Sequence, residues 1–288
     1  MTVRKAVIPA AGWGTRLLPA SKAVPKELLP LIDKPVIQFA VEEAAASGIF
    51  DVILVTAPGK GAIEDYFEPS VELEAILRAK GDTARLEQVT SVSRLAKIHS
   101  VLQKEQLGLG HAVLMAKGLV GNEPFAVFLP DDVIDAPVPA LRQLLDVHER
   151  YGSTVLAVKR VEREEVSRYG IIDADEVAPR THRVKGMVEK PRLEDAPSRL
   201  AIIGRYVLTP EIFERLENVE PGAIGEIQLT DGIAGLLEDQ EVYALEYEGD
   251  LLDAGTVLGM LKSSVQMALK RPEIAEQFRP WLEKLLRE

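Results

Sequence analysis

The chain has 288 residues, a net charge of −11 and no cysteine. An acidic chain without a basic tract is not expected to bind nucleic acid or an anionic membrane, and without cysteine it cannot form disulfides, thiolate zinc sites or a cysteine nucleophile. The sequence enters a predicted strand without a signal-peptide core, and it has no apolar run of membrane-spanning length, so we expect a globular, cytoplasmic protein.

The first predicted element is a buried strand at residues 6–9, and a turn of small residues follows it, Ala10-Ala11-Gly12-Trp13-Gly14. Glycine lets backbone N–H groups approach a ligand closely. Three cations then follow, at Arg16, Lys22 and Lys26. In an acidic protein this combination favours a phosphate site over the alternative, which is a tight strand-to-helix turn beside a solvated charged face.

The loop matches neither of the common nucleotide fingerprints. The chain has no G-x-x-x-x-G-K-[ST] segment. Leu17 stands where a dinucleotide fingerprint has its third glycine, and the next predicted strand, residues 52–55, ends in Thr56-Ala57 where an acidic ribose ligand is needed. The loop therefore indicates a nucleotide that is held in another way.

Helices and strands alternate through the first half of the chain, which is the pattern of a doubly wound parallel sheet. Pro35 is expected at the first position of the first helix. The predicted elements are a helix from 33 to about 48, a strand at 51–55, one or two surface helices at 63–95, a strand at 98–103, a helix starting at 111, a strand at 125–129, a helix at 139–151 and a strand at 154–161.

The second half predicts strands with loops between them, at 169–172, 183–189, 200–208 and 242–247. It also predicts a helix that opens with Thr209 as N-cap, a helix that follows the segment 225–231, and a helix that follows the segment 252–256 and runs to about Arg271. We expect an α/β fold with a doubly wound, mixed and mainly parallel sheet and added second-half strands. One catalytic unit is predicted at 1–271, with halves at 1–161 and 162–271. The tail, 272–288, predicts an amphipathic helix that packs on its own domain or serves oligomerisation.

Carboxylates fall where open α/β sheets bind their ligands, beyond the carboxyl ends of the strands. Asp131 and Asp132 directly follow the strand at 125–129. A carboxylate there, facing a phosphate loop, suits magnesium, and the alternative is an N-cap for the next helix. Asp253 could supply a second carboxylate or could likewise be a cap.

Lys190 follows Glu189 in the segment V-E-K-P, where Pro191 predicts an extended backbone at the lysine. We expect Lys190 to reach a phosphate and Glu189 to accept sugar hydroxyls; the alternative is a solvated ion pair at a strand end. The four histidines show no zinc-binding spacing, and no G-x-S-x-G elbow is present. Nothing in the sequence predicts a covalent nucleophile.

Two long segments, IPAAGWGTRLLPASKAVPKELLPLIDKPVIQF and GEIQLTD, occur in order with the shorter GLGHAV, FLPDD, RYGII, VEKP, IIGRYVL and LLDAGT. In this combination the chain, from Lys5 to about Arg271, resembles the bacterial UTP–glucose-1-phosphate uridylyltransferases (UDP-glucose pyrophosphorylases), which are sugar-1-phosphate nucleotidyltransferases. Trp13 departs from the family, whose members often carry a smaller or aliphatic residue there. The resemblance says little about residues 60–100.

The resemblance implies a Rossmann-like nucleotidyltransferase fold, in a homodimer or homotetramer, that converts UTP and glucose 1-phosphate to UDP-glucose and pyrophosphate with Mg²⁺. The sugar phosphate would attack the α-phosphorus in line, so that catalysis rests on positioning and charge neutralisation. The implied catalytic residues are Arg16, Lys26, Asp131 and Lys190, and the implied metal ligands are Asp131 and Asp253. Nucleotide binding is implied for Ala10, Ala11, Gly12, Gly14, Thr15, Gln103 and Gly108, and sugar binding for Gly170, Glu189, Gly204 and Glu226.

Three other functions are open at this point. A related enzyme could use dTTP or a different sugar 1-phosphate, because uracil and thymine share the edge that Gln103 would read. A non-catalytic homologue could bind a nucleotide sugar without turnover, but it should have lost part of the catalytic set, and this chain retains all four residues. An NAD-binding protein is disfavoured by the missing third glycine and acidic residue.

Overall fold

The computed structural model describes residues 2–221 and 225–287. Met1, residues 222–224 and Glu288 lie outside the described residues. The start of the predicted catalytic unit at residue 1 and the end of the predicted tail at residue 288 therefore also lie outside them. Across the described ranges, no helix combines the length and the apolar character needed to cross a bilayer.

The described part of the chain alternates strands and helices in its first half, as predicted. Its strands are β1 (Lys5–Pro9), β2 (Pro30–Leu31), β3 (Lys34–Pro35), β4 (Asp51–Thr56), β5 (Lys97–Leu102), β6 (Phe125–Phe128), β7 (Asp132–Asp135), β8 (Thr154–Arg160), β9 (Gly170–Ala178), β10 (Thr181–Glu189), β11 (Leu200–Leu208), β12 (Val242–Glu246) and β13 (Asp250–Asp253). Its α-helices are α1 (Val36–Ala46), α2 (Ala62–Asp65), α3 (Val71–Ala79), α4 (Thr83–Ser93), α5 (Leu109–Met115), α6 (Lys117–Val120), α7 (Ala140–Tyr151), α8 (Ile212–Asn218), α9 (Leu229–Leu236), α10 (Val257–Lys270) and α11 (Pro272–Leu285).

One large sheet carries nine of the described strands, in the order β5-β4-β1-β6-β11-β8-β12-β10-β9. The strands from β5 to β6 are parallel, and so are β8 and β12. By contrast, β11 is antiparallel to both β6 and β8, and β10 is antiparallel to both β12 and β9. The predicted α/β class with a mixed sheet is confirmed, and the continuous parallel part lies in the half of the chain that alternates.

Helices cover both faces of this sheet, which the alternation of β1 illustrates. Ala6 and Ile8 join the apolar layer beneath α1 and α7. Val7 points to the opposite face and joins the layer beneath α5, α8 and α9. Because period-2 alternation sends neighbouring side chains to opposite faces, a strand that is buried on both faces is apolar at most positions, and all nine residues of β11 are buried, Arg205 among them.

A two-stranded ribbon of β7 and β13 stands apart from the main sheet, and the sequence did not indicate it. Its antiparallel register places Asp253 opposite Asp132. The N-cap alternative for Asp131 and Asp132 is wrong, because the chain continues into β7 and the next helix, α7, has Pro139 at its N-cap. Asp253 is not a cap either, because the side chain of Thr256 fills that position for α10.

Three local predictions differ from the structure. Pro35 pairs with Pro30 in a short ribbon and is the N-cap of α1, so the helix begins at Val36, one residue after the position predicted for its first turn. Thr209 is not, as predicted, the N-cap of the next helix, but the residue directly after β11. Helix α8 begins at Ile212 with Glu211 as its N-cap. The region expected to form one or two surface helices forms three, α2 to α4.

The predicted tail helix is present as α11, which packs against α10. None of its described residues is buried. Trp281 and Leu285 expose 55% and 51% of their surface, and Val257, Leu258 and Leu261 on α10 are also exposed. The two C-terminal helices therefore present apolar side chains to the outside of the described chain.

Candidate active site

The loop after β1 is fixed at its start and open at its tip. Ala10 and Ala11 are buried, and the N–H of Ala10 donates to the carbonyl of Val55 (2.8 Å). Gly12 is exposed, and a Cβ atom there would meet nothing within 4 Å. Gly14 has a φ of 67°, in the left-handed region that glycine tolerates. The backbone at Gly12 can therefore approach a ligand from the solvent side.

Lys60 holds this loop from below, which the sequence did not indicate. Its Nζ donates to the carbonyls of Ala10 (2.7 Å) and Gly12 (2.6 Å) and pairs with the buried carboxylate of Glu27 at 3.0 Å. Burial lowers the pKa of Lys60 and raises that of Glu27, and each charge opposes the shift of its partner. The only sequence signal for this role was a lysine in the Gly-rich turn that follows β4.

A cavity of about 640 Å³ opens beside the loop, where β1 and β6 end. It is built from both halves of the chain, since β9 and β10, the turn before α9, and β13 also border it. Several predicted site residues line it, namely Arg16, Asp131, Asp132, Gly170, Glu189, Lys190, Glu226 and Asp253.

Asp131 is the meeting point of two predicted cations. Lys26 Nζ donates to Asp131 Oδ2 at 2.8 Å, and Arg16 Nη2 lies 3.6 Å from the same oxygen. Burial alone would raise the pKa of Asp131, but Lys26 and Arg16 outweigh it and hold the pKa below its usual value. Burial would likewise lower the pKa of Lys26, and Asp131 reverses that shift. Both groups are therefore ionised at neutral pH.

Asp132 sits in a different environment from its neighbour. The N–H of Gly204 donates to Asp132 Oδ2 at 2.9 Å, and a Cβ atom at Gly204 would lie 2.8 Å from that oxygen. Burial, followed by the charge of Asp131, raises the pKa of Asp132 to about 6. Gly204 itself is absent from the cavity wall, and its N–H and its carbonyl are both hydrogen-bonded within the protein.

Asp131 and Asp253 face the same small space. A Cβ atom at Gly255 would lie 3.0 Å from Asp131 Oδ2 and 3.3 Å from Asp253 Oδ1, so only glycine leaves this space free. The N–H of Gly255 and the hydroxyl of Thr256 both donate to Asp253 and orient its carboxylate. Within residues 2–221 and 225–287, no three acidic or histidine side chains converge as a metal site. Two carboxylates fit Mg²⁺, which usually takes one or two of them together with substrate phosphates and water.

Glu189 and Lys190 form the opposite wall of the cavity at the end of β10. The hydroxyl of Thr230 donates to Glu189 Oε2 (2.7 Å), and Lys190 Nζ pairs with Glu189 Oε1 (3.1 Å). The prediction of an extended backbone at Lys190 is wrong, because its φ is 44°. A side chain in this region is uncommon outside turns and functional sites, and the N–H of Lys190 is held by the carbonyl of Tyr169 (3.0 Å).

Gln103 lies next to the cavity but is buried. Its Nε2 donates to the carbonyl of Gly108 (3.1 Å) and lies 2.9 Å from His111 Nδ1. Gly108 has a φ of 100°, and a Cβ atom there would lie 2.7 Å from the carbonyl of Ile227. This turn is also hydrogen-bonded to the segment before α9, through Leu107, Gly110 and Ile227. The predicted base-reading loop is thus joined directly to the second half of the chain.

The structure therefore gathers the charged residues of the predicted site around one cavity, whereas the predicted loop residues Ala10, Ala11, Gly12, Gly14 and Thr15 are not part of its wall. Arg16, Lys26, Asp131, Asp253, Glu189 and Lys190 converge there. Gln103, Gly108 and Gly204 stand just behind its wall. The sequence missed Thr230, Gly255 and Lys60, because each acts through a partner that is distant in the chain.

The family model for nucleotidyl transferases matches residues 5–269, from β1 through nearly all of α10. The chain belongs to the nucleotidyl transferase family. It is 52% identical over 284 residues to the UTP–glucose-1-phosphate uridylyltransferase of Bacillus subtilis, across 99% of this chain and 97% of the relative. It is 50% identical to the protein of the same name from Staphylococcus haemolyticus, across 98% of each chain.

Solved structures of nucleotidyl transferases share the fold. The UTP-bound UGPase from Acinetobacter baumannii superimposes with a TM-score of 0.92 at 38% identity, across 99% of this chain and 100% of that one. A UDP-glucose pyrophosphorylase complexed with UDP-glucose gives a TM-score of 0.86 at 40% identity, across 94% of this chain and 100% of the other. The predicted Rossmann-like nucleotidyltransferase fold is confirmed.

Proposed function

We propose that the protein transfers UMP from UTP to α-D-glucose 1-phosphate, with release of pyrophosphate and formation of UDP-glucose. One observation carries the proposal: a single cavity unites Arg16 of the loop after β1, the Asp131 carboxylate and the Glu189–Lys190 pair. A nucleotide, a metal ion and a sugar phosphate can each find a suitable group there. The full-length similarity to uridylyltransferases supports the same reaction.

The nucleotide is proposed to bind on the loop side. Backbone groups of Ala11 and Gly12, with Ala10 beneath them, hold the base and ribose. The backbone of Gly14 and Thr15 and the guanidinium of Arg16 hold the β- and γ-phosphates, which leave as pyrophosphate. Gln103 is proposed to read the uracil edge, because an amide both donates and accepts, in place of its contacts with Gly108 and His111. Gly108 adds a backbone contact.

Enzymes of this family generally use a divalent metal ion, and we propose Mg²⁺, held by Asp131 and Asp253. When bound, Mg²⁺ supplies positive charge beside the phosphate oxygens. Lys26 now neutralises Asp131 at 2.8 Å. At this carboxylate, the ammonium of Lys26 would contribute a further positive charge to hold the triphosphate.

The sugar phosphate is proposed to bind on the opposite wall. Lys190 bridges the sugar phosphate and the α-phosphate and stabilises charge as the new P–O bond forms. Glu189, aligned by Thr230, accepts glucose hydroxyls, and Gly170 and Glu226 complete the sugar pocket. Gly204 acts here through its hydrogen bond to Asp132, because its own polar atoms are already used.

A substrate grid tests the proposal directly. Pyrophosphate release is measured for UTP, dTTP, ATP, CTP and GTP, each with glucose, galactose and mannose 1-phosphates. The highest kcat/KM is expected for UTP with glucose 1-phosphate. A clear preference for dTTP or for another sugar would replace this reaction with a related one. Nucleotide-sugar binding without release by any pair would indicate a non-catalytic homologue.

The assembly, the location and the division of the chain are also proposed. The apolar side chains exposed on α10 and α11 support a homodimer or homotetramer, because such residues are commonly covered by a partner. A cytoplasmic location is supported by the proposed use of UTP, which is made inside cells. The division into a nucleotide half at 1–161 and a sugar half at 162–271, with an oligomerising tail, is likewise proposed from the cavity walls.

A further inference from the structure

A buried ion pair lies directly behind the cavity wall and has no part in the reaction proposed above. Arg205, in the middle of β11, is 1% exposed. Its Nε and Nη2 both donate to Glu43 Oε2, at 3.0 and 2.8 Å, and its guanidinium lies 4.8 Å from the centre of the Phe128 ring. Glu43 comes from α1, and its side chain is 9% exposed.

The remaining arm of Arg205 fixes the backbone on both sides of the candidate metal site. Its Nη1 donates to the carbonyl of Leu129 (3.1 Å), which directly follows β6, and to the carbonyl of Gly204 (2.8 Å). These two residues are themselves joined, because the N–H of Leu129 donates to the carbonyl of Gly204 (2.8 Å). One planar side chain thus spans the two strands at the point where β6 leaves the sheet.

The candidate metal ligand Asp131 and its neighbour Asp132 follow Leu129 closely in the chain. The N–H of Asp132 donates to the carbonyl of Leu129 (3.2 Å), and the N–H of Gly204 donates to the Asp132 carboxylate. Asp131 lies in the chain between Leu129 and Asp132, and both of these residues are held by the hydrogen bonds just described. Arg205 cannot touch a substrate, because it is buried behind this turn.

We infer that Arg205, held by Glu43, is a positioning residue that sets the 129–132 turn and thereby the direction of the Asp131 carboxylate. The inference rests on the proposed role of Asp131 as a ligand of Mg²⁺. A point charge cannot replace the guanidinium, since only its planar fork can reach Glu43 and both carbonyls at once. The nucleotide loop is fixed separately by Lys60 and Glu27.

The key variant is Arg205→Lys, which keeps the positive charge beside Glu43 but loses the fork. The control is Leu144→Ala, a buried truncation on α7 that weakens the same apolar layer and makes none of these hydrogen bonds. Amide hydrogen exchange of Leu129, Asp132 and Gly204 reports the turn. Mn²⁺ binding to the enzyme–UTP complex, followed by electron paramagnetic resonance, reports the carboxylates without turnover.

For Arg205→Lys we expect faster exchange at the three amides, weaker Mn²⁺ binding and a fall in kcat of roughly tenfold to a hundredfold, as for a misplaced catalytic group. The KM for UTP should stay within about twofold, because the nucleotide loop has its own anchor. Leu144→Ala should not speed exchange at these three amides more than elsewhere in the chain, and it should not weaken Mn²⁺ binding or lower kcat in the same way. Wild-type exchange in Arg205→Lys overturns the inference. So does a loss of activity that the control reproduces.

The two proposals can fail separately. If the exchange rates change as expected but the wild-type protein makes no UDP-glucose, the proposed reaction is wrong and the role of Arg205 in the turn stands. If the protein makes UDP-glucose and the exchange rates do not change, the proposed reaction stands and the role of Arg205 in the turn is wrong.

Discussion

At the end of β10, Lys190 combines an uncommon backbone geometry with an accessible charge. Its φ is 44°, and its side chain is 58% exposed and pairs with Glu189 at 3.1 Å. Lys190→Ala is expected to lower kcat at least ~10²-fold, because it removes charge stabilisation at the transferring phosphorus. Steady-state pyrophosphate release measures the effect.

The matched control for this change is Lys185→Ala on the same strand. Lys185 pairs with Asp173 and Asp175 on β9, and the cavity wall does not include it. Its removal should leave kcat within about twofold, as surface substitutions usually do. Normal turnover in Lys190→Ala would remove the lysine from the proposed mechanism.

Asp131 is expected to set the metal requirement. Asp131→Asn keeps the size of the side chain but removes the charge that a divalent cation needs, so the Mg²⁺ concentration for half-maximal rate should rise sharply, on the order of tenfold or more. A Mg²⁺ titration at saturating substrates measures it. Asp135→Asn, at the far end of β7, is the control. An unchanged titration curve for Asp131→Asn would count against its role as a ligand.

Individual site residues could be predicted where the signal is local. Asp131 follows an apolar strand, and Gly12 and Gly14 follow another, so both positions could be read from neighbouring residues. Arg205 interrupts an apolar strand, which marks it as unusual. Its partner, Glu43, is 162 residues away, and no periodicity connects the two. Pairing of buried charges is decided by three-dimensional packing, which the sequence pattern does not encode.

At the scale of elements, the loop after β1 depends on the Lys60–Glu27 pair. Lys60→Met leaves Glu27 buried without its cation, and we expect it to cost about 3–5 kcal/mol of unfolding free energy. It also removes two hydrogen bonds to the loop carbonyls, so the KM for UTP should rise. Chemical denaturation and UTP kinetics give the two quantities.

The double variant Lys60→Met/Glu27→Met separates these two effects. Replacing both members of a buried pair with apolar residues restores much of the stability. It does not restore the contacts to Ala10 and Gly12, so the high KM should persist. A double variant with a normal KM would show that the loop does not need this anchor.

The ribbon of β7 and β13 marks the limit of element prediction. Both strands are four residues long, and they lie far apart in the sequence although Asp132 and Asp253 pair in the ribbon. Short strands carry little periodicity, so neither was recognised. The ribbon nevertheless decides the site, because its register brings the Asp253 carboxylate beside the turn that holds Asp131.

At the scale of the whole molecule, the C-terminal helices govern the proposed assembly. Truncation after Arg271 removes α11 with its exposed Trp281 and Leu285. Light scattering should show a smaller particle than for the full chain, while kcat per chain is retained, because α11 is absent from the cavity wall. The substitutions Trp281→Ser and Leu285→Ser test the same surface with the helix in place. An unchanged mass in both would assign α11 to its own domain.

The fold class was predictable because half of the chain alternates regularly between strand and helix. Right-handed crossovers then leave few arrangements for the parallel strands. The antiparallel strands of the second half were found as elements, but their order was not, since β11 and β12 reach past their sequence neighbours. Local propensity fixes which residues become strands, whereas only the completed core fixes where each strand is placed.

The central place of β11 has a consequence for the synthesis of the protein. On the ribosome, β6 and β8 emerge well before β11, yet they cannot pair with each other because β11 lies between them. Until Leu208 has left the exit tunnel, the nascent chain carries unpaired strand edges, which favour aggregation and chaperone binding. The hydrogen bond from Gly204 to Asp132 comes from the same strand. The catalytic turn is therefore completed only after more than two-thirds of the chain has been translated.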